Sequence, residues 1–194
     1  MKVTPNNVLT IARGYLGYSA GETAYEDIFK QYDKKKKLEA SDDWSDAFIS
    51  ICFILAGDTK IIGGISKDTL KHITKFKKKK MWHEPAAALR VGDLVALKWR
   101  DSQKIAIIEA IHGRVLTLII GDKYGTIGRL RILNNDERII GSARPHYATA
   151  KQAIDEVATE VLMGKWGNGR FLKKKLTDAG YDYDKIQRRV CELS

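Results

Sequence analysis

Apolar positions recur at helical spacing through the first eighty residues, and they gather into short β-rich runs over the next sixty. Val8, Ile11, Ala12, Tyr15 and Leu16 follow the i, i+3, i+4 rule and predict a first helix, with Gly14 and Gly17 near its end. Tyr25 to Tyr32 predicts a second, shorter one. Phe48, Ile51, Cys52 and Leu55 form a single stripe on a third, with Ser41 or Asp42 as its expected cap and Gly57 as its stop. A Gly63-Gly64 turn leads into a basic amphipathic helix from Lys67 to Lys80.

Beyond Pro85 the pattern changes. Asp93 to Trp99, Lys104 to Ile111 and Arg114 to Ile120 predict strands, with His112-Gly113 as the turn between the last two. Arg129 to Leu133 and Ile139 to Ala143 complete an antiparallel sheet that Pro145 closes. Helical spacing returns from Thr149, where Ile154, Val157, Ala158, Val161 and Leu162 share one face. Leu172 to Ala179 and Tyr183 to Leu193 predict two more helices, so the tail reads as a small three-helix bundle. So small a core is marginal alone and gains from packing or repetition. The expected class is α+β, divided into 1–147 and 148–194.

Composition narrows the picture. Hydrophobic residues at 44% and charged residues at 30% suit a soluble globular chain. No apolar run approaches the roughly 20 residues that span a bilayer. Met1 to Asn7 are polar and run straight into a helical pattern, so no secretory signal is expected and synthesis in the cytoplasm is. The formal charge is +10, most of it within 1–150, with dense runs at Lys34 to Lys37 and Lys75 to Lys80. Such runs suit an anionic polymer: teichoic acid, phospholipid or nucleic acid. No helix-turn-helix, zinc-finger or RNA-recognition signature accompanies them, which disfavours nucleic acid. Cys52 and Cys191 cannot form a disulfide framework and are expected to be reduced, structural thiols. With the cysteines isolated and no histidine cluster, neither a metal site nor a cofactor is expected.

Three carboxy-terminal segments carry a resemblance. They are Gly164-Lys165-Trp166-Gly167-Asn168-Gly169, the stretch from Leu176 to Tyr183, and Gln187-Arg188-Arg189-Val190. Together, residues 153–193 resemble the CW_7 cell-wall-binding repeat, which implies binding of a peptidoglycan muropeptide. The implied ligand-binding residues are Asp155, Trp166, Gly167, Asn168, Gly169, Tyr181, Asp182 and Gln187. Glycines admit close backbone approach, Trp166 offers a ring to a sugar face, and Asn168, Asp182 and Gln187 offer polar groups to acetamido and hydroxyl groups. Leu172 stands where the repeat usually has arginine, and Cys191 where it has asparagine. One copy is present, so multivalency within the chain adds nothing.

Trp44 to Ser50, Lys75 to Trp82, Val91-Gly92-Asp93-Leu94, Ile105 to Glu109 and Gly141 to Tyr147 carry a second resemblance by their order and spacing. Residues 3–147 resemble the CHAP domain of phage endolysins, a papain-like group related to NlpC/P60 that contains peptidoglycan amidases and endopeptidases. That chemistry needs a thiolate at a helix start, an imidazole to activate it and a polar group to orient the imidazole. The matching positions hold Ser45, Lys104 and Ile120, the last within Ile120-Gly121-Asp122. Cys52 lies two helical turns past Ser45, about 10 Å along the axis, and belongs to the apolar stripe. His72, His83, His112 and His146 all miss the matching position.

The resemblances imply an endolysin-like pseudoenzyme, kept as a binder of peptidoglycan or of a partner lysin or phage tail protein. Its old substrate groove, near Trp44, Ser45, Lys104 and Asp122, would still receive a peptide. It would act at the bacterial wall after release, or within a phage particle. Two alternatives stand beside this one. A Ser45–Lys104 dyad would make an active amidase or endopeptidase, provided the amine is desolvated and neutral. A basic binder of anionic polymers would use the lysine runs instead.

Overall fold

The computed structural model describes residues 2–19, 27, 30–32, 34, 43–85, 87–148 and 150–194, with 150–153 described by backbone alone. Helix α1 spans Pro5–Gly14. Thr4 caps it by accepting from the Asn7 N–H, while Asn7 Oδ1 accepts from the Thr4 N–H at 3.0 Å, and Pro5 occupies the first turn. The short helix expected at Tyr25 to Tyr32 falls mostly outside the described residues; within it, Lys30, Gln31 and the buried Tyr32 are helical.

Helix α2 spans Ser45–Leu55 and departs from expectation in two ways. Trp44 takes the cap position without a side-chain bond, and Asp43 Oδ1 instead accepts from the Ser45 N–H at 2.9 Å. Ser41 and Asp42, the expected caps, lie outside the described residues. The helix is also buried from Ser45 to Phe53 rather than along one stripe. It packs against α1, the sheet and the following helix, and only its last residues, Ile54 and Leu55, reach the surface.

Helix α3 spans Thr69–Lys78, with Asp68 accepting from the Lys71 N–H at 3.0 Å. Strand β1, Trp82–His83, was not expected; it pairs only with β6. Next come β2 (Leu94–Trp99), β3 (Ser102–His112), β4 (Val115–Lys123), β5 (Thr126–Leu133) and β6 (Ile139–Ala143). His112 pairs with Val115, so the hairpin turn is Gly113-Arg114, one residue later than expected, with Gly113 at φ +59°.

All pairings are antiparallel, in the order β1-β6-β2-β3-β4-β5. Strands β5 and β6 are four places apart, which in a flat sheet is about 19 Å. Yet the five residues joining them are folded into two tight turns, from Asp136 to Leu133 and from Ile139 to Asp136. The sheet must therefore curl. Its convex face carries Leu94, Ile105, Ile107, Ile119 and Ile127 against α1 and α2. Its concave face closes over its own core of Val95, Leu97, Ala106, Ile108, Leu118, Ile120 and Ile139.

Two of the sequence segments meet just before the start of β2. Asp93 receives two bonds from Arg144, 3.0 and 2.8 Å long, and the Tyr147 hydroxyl donates to the Gly92 carbonyl at 2.9 Å. Gly92 sits at φ +88°, and a Cβ there would lie 2.7 Å from Pro5 Cβ.

The tail is α4 (Ala150–Leu162), α5 (Gly169–Asp178) and α6 (Tyr183–Leu193). Val157, Trp166, Leu172, Leu176 and Ile186 form its own core. It docks through the α5–α6 turn: Asn6 Nδ2 donates to the Gly180 carbonyl and Asn7 Nδ2 to that of Ala179, at 2.5 and 2.7 Å. Among the described residues no helix is long and apolar enough to cross a membrane.

Candidate functional site

Ser45 opens α2 and is fully buried. Among the described residues its hydroxyl has one partner, the Ile105 N–H of β3 at 3.3 Å. Lys104 precedes that residue on the strand. It alternates with Ala106 and Ile108 and so belongs with the concave face of the sheet, as its spacing predicts. Its Nζ lies 2.6 Å from Asp43 Oδ2 and 2.7 Å from Asp122 Oδ2, and 5.8 Å from the centre of the Trp99 ring. Asp122 sits at φ +52° within the β4–β5 register shift, and its other oxygen accepts from the Gly125 N–H.

The fold thus brings Lys104 and Asp122 together and adds Asp43, which was not foreseen. The dyad expectation is corrected here. A serine–lysine pair needs a neutral amine with a lone pair aimed at the hydroxyl, whereas an ammonium between two carboxylates offers only donors. No Ser45–Lys104 hydrogen bond is present among the described residues. Lys104 and Asp122 line a shallow depression of about 400 Å³ with Asp43, Trp99, Ser102 and Tyr124, and Ser45 is not part of its lining.

Trp44 is likewise corrected from a groove residue to a core one, at 3% exposure. Ile120, at the orienting position, is buried in the concave core. Cys52 is in the helix-side core, as its stripe predicts, and burial pushes its thiol well above the ordinary range. Cys191 is exposed on α6 rather than structural.

His72 has a partner that the sequence did not suggest. Its Nδ1 lies 2.5 Å from Asp46 Oδ1 and its Nε2 2.9 Å from the Ile62 carbonyl, with all three residues buried. The ring stacks on Phe76 at 4.2 Å. Both nitrogens are engaged and sealed from water, so this pair ties α3 to α2 and is not positioned for proton transfer to a ligand. His83 is in β1, His112 ends β3, and His146 is exposed beyond β6. Among the described residues, no three histidine, cysteine, aspartate or glutamate side chains are grouped to hold a metal ion.

In the tail, Trp166 is corrected from an offered ring to a packed one. It is 9% exposed, meets Tyr181 edge-on at 5.9 Å, and donates its N–H to Glu160 Oε2 at 2.9 Å. Asp155 is held by Arg189 at 2.6 Å, and Asp182 caps α6 by accepting from the Lys185 N–H. Asn168 and Gly169 are exposed at the α4–α5 turn, while Gly167 and Gln187 are half-buried. Asn168 takes the cap position of α5 without a side-chain cap bond among the described residues. Leu172, where the repeat usually has arginine, faces the tail core.

Comparison with known proteins places these features. The CW_7 repeat model matches residues 155–193. No curated protein matches the chain. Among solved structures it is similar to crystal structures of Ly7917. One of these contains the hydrolysis product of MDP; it is 15% identical, with a TM-score of 0.42 over 74% of this chain. The other is 13% identical, with a TM-score of 0.39 over the same share. The chain spans 63% of the length of either structure.

Proposed function

We propose that this chain is a cell-wall binder that engages peptidoglycan through its CW_7-like tail and does not hydrolyse it. The body is the remnant of a CHAP-like hydrolase in this reading, and it serves as a scaffold. The observation that carries it is the state of the matching positions. The Lys104 ammonium is clamped between Asp43 and Asp122, and the Ser45 hydroxyl is buried against the Ile105 N–H. A nucleophile without access or a base cannot run acyl transfer. The tail match over 155–193 supports the wall as the place of action.

A turbidity assay on purified peptidoglycan of several chemotypes tests the reading. The natural chain should clear none of them while co-sedimenting with at least one. Ser45→Cys with Lys104→His restores a thiol and an imidazole, and trace clearing by that variant would support descent from an enzyme. Clearing by the natural chain, abolished by Lys104→Ala, would refute it.

The exposed lysines 77–80 at the end of α3 favour a second reading, a binder of anionic polymers. Association through them should fall steeply between low and moderate salt, and should survive removal of the tail's ligand contacts.

A further inference from the structure

We infer that the α4–α5 turn and the outer face of α5 form a surface that docks on an anionic phospholipid membrane. Three large apolar side chains stand in water there. Leu162 ends α4, Met163 follows it and Phe171 lies in the first turn of α5, and they are 47, 66 and 64% exposed. None belongs to the core of the bundle, which takes Trp166, Leu172 and Leu176 from the same stretch. Large apolar groups clustered at a surface mark a place of contact.

The surrounding charge says with what. Residues 161–177 hold five basic side chains and no acidic one, whereas all seven acidic residues of 150–194 lie outside that stretch. Lys174 is matched by Asp178 at 2.7 Å, and Lys165 approaches Glu160 at 4.0 Å. Arg170, Lys173 and Lys175 meet no carboxylate among the described residues. Arg170 and Lys173 lie instead over the rings of Phe171 and Tyr183, at 5.5 and 5.3 Å.

Geometry joins these residues into one surface. Phe171, Lys174 and Lys175 follow the i, i+3, i+4 rule and share a side of α5. The Lys175 amine lies 3.9 Å from where a Cβ on Gly167 would stand, so that side runs on into the turn that carries Met163 and Lys165. The tail meets α1 through Ala179 and Gly180, at the opposite end of α5 and about 15 Å along its axis. A soluble polyanion has use for the cations alone. A bilayer interface uses both kinds of group: headgroup phosphates take the cations, and the acyl boundary takes the apolar side chains. The inference is independent of wall recognition, and its surface is not that of the lysines at the end of α3.

Co-sedimentation of the full chain with lipid vesicles tests it. The chain should bind vesicles of equal parts phosphatidylcholine and phosphatidylglycerol, and bind phosphatidylcholine alone far more weakly. Phe171→Trp should add an emission that brominated acyl chains quench. Arg170→Gln with Lys175→Gln should weaken binding about 25-fold, at about fivefold per cation. Met163→Ser with Phe171→Ser should remove most binding while the tail amide signals persist, because both side chains already face water. Lys77→Gln with Lys78→Gln, on α3, should leave vesicle binding as it is. Equal affinity for the two kinds of vesicle, an unquenched reporter, a loss that follows the α3 lysines, or binding that survives Met163→Ser with Phe171→Ser would each overturn the inference. The last result would mark the surface as a site for soluble polyanions. Sedimentation with peptidoglycan reads the wall reading separately, so either can fail alone.

Discussion

Lys104 shows how one residue decides what a site can do. Its position on an apolar strand face would suit a desolvated base, but two carboxylates from outside the strand reach it first. Lys104→Ala leaves Asp43 and Asp122 facing each other without a cation, and we expect a loss of about 1–3 kcal/mol by chemical denaturation. Trp166 makes the parallel point in the tail. Trp166→Ala should cost about 3–5 kcal/mol and unfold the small bundle, as followed by helical circular dichroism and tail amide signals. Lost wall binding in that variant would therefore report lost structure rather than a lost sugar contact. Glu109 sets a pH dependence. Arg129 and Arg13 hold its carboxyl at about 2, against an ordinary 4.5. Its contribution to stability is thus complete above about 4.5 and fades as pH falls towards about 2. Glu109→Gln should flatten the stability curve over that interval and leave its neutral limb sloping as before.

At the scale of elements, the sequence spoke clearly where period and punctuation agreed. Helix α6 and strand β6 match their predicted bounds, and α1, α3 and β2 are offset by only a few residues. In each case an apolar repeat ends at a glycine, a cap or a charge run. The reading failed where an element's neighbours decided its form. Helix α2 looked amphipathic from four residues, but its remaining positions are small or apolar apart from Asp46, whose carboxylate is taken up by His72. Strand β1 is two residues long, too short to carry a period, and exists because β6 offers an edge. Gly121 marks where α2 and β4 touch most closely: a Cβ there would lie 2.7 Å from Phe48 Cβ. Gly121→Ala should therefore lower stability by about 1–3 kcal/mol, read as a drop in melting temperature, because the helix must lift off the sheet. The candidate site was half legible. Motif spacing pointed to Ser45, Lys104 and Ile120, with Asp122 two residues further on, and the structure brings Lys104 and Asp122 together. Asp43 was missed because its reach depends on the chain path into α2.

Across the whole molecule the tail is held by a few polar contacts on the first turn of α1. Asn7 does two things at once: it completes the Thr4 capping box and donates to the Ala179 carbonyl. Asn7→Ala should lose about 1 kcal/mol from the cap and speed hydrogen exchange across 179–182, with the tail core protected as before. In the proposed reading the chain presents a wall-binding tail on a body that no longer cuts. The direct test is to incubate the protein with purified peptidoglycan, pellet it, and analyse pellet and supernatant together by mass spectrometry. Protein in the pellet and a supernatant free of new muropeptides is the expected result. New soluble fragments that vanish with Ser45→Ala, or a protein that stays wholly in solution with every chemotype, would contradict it.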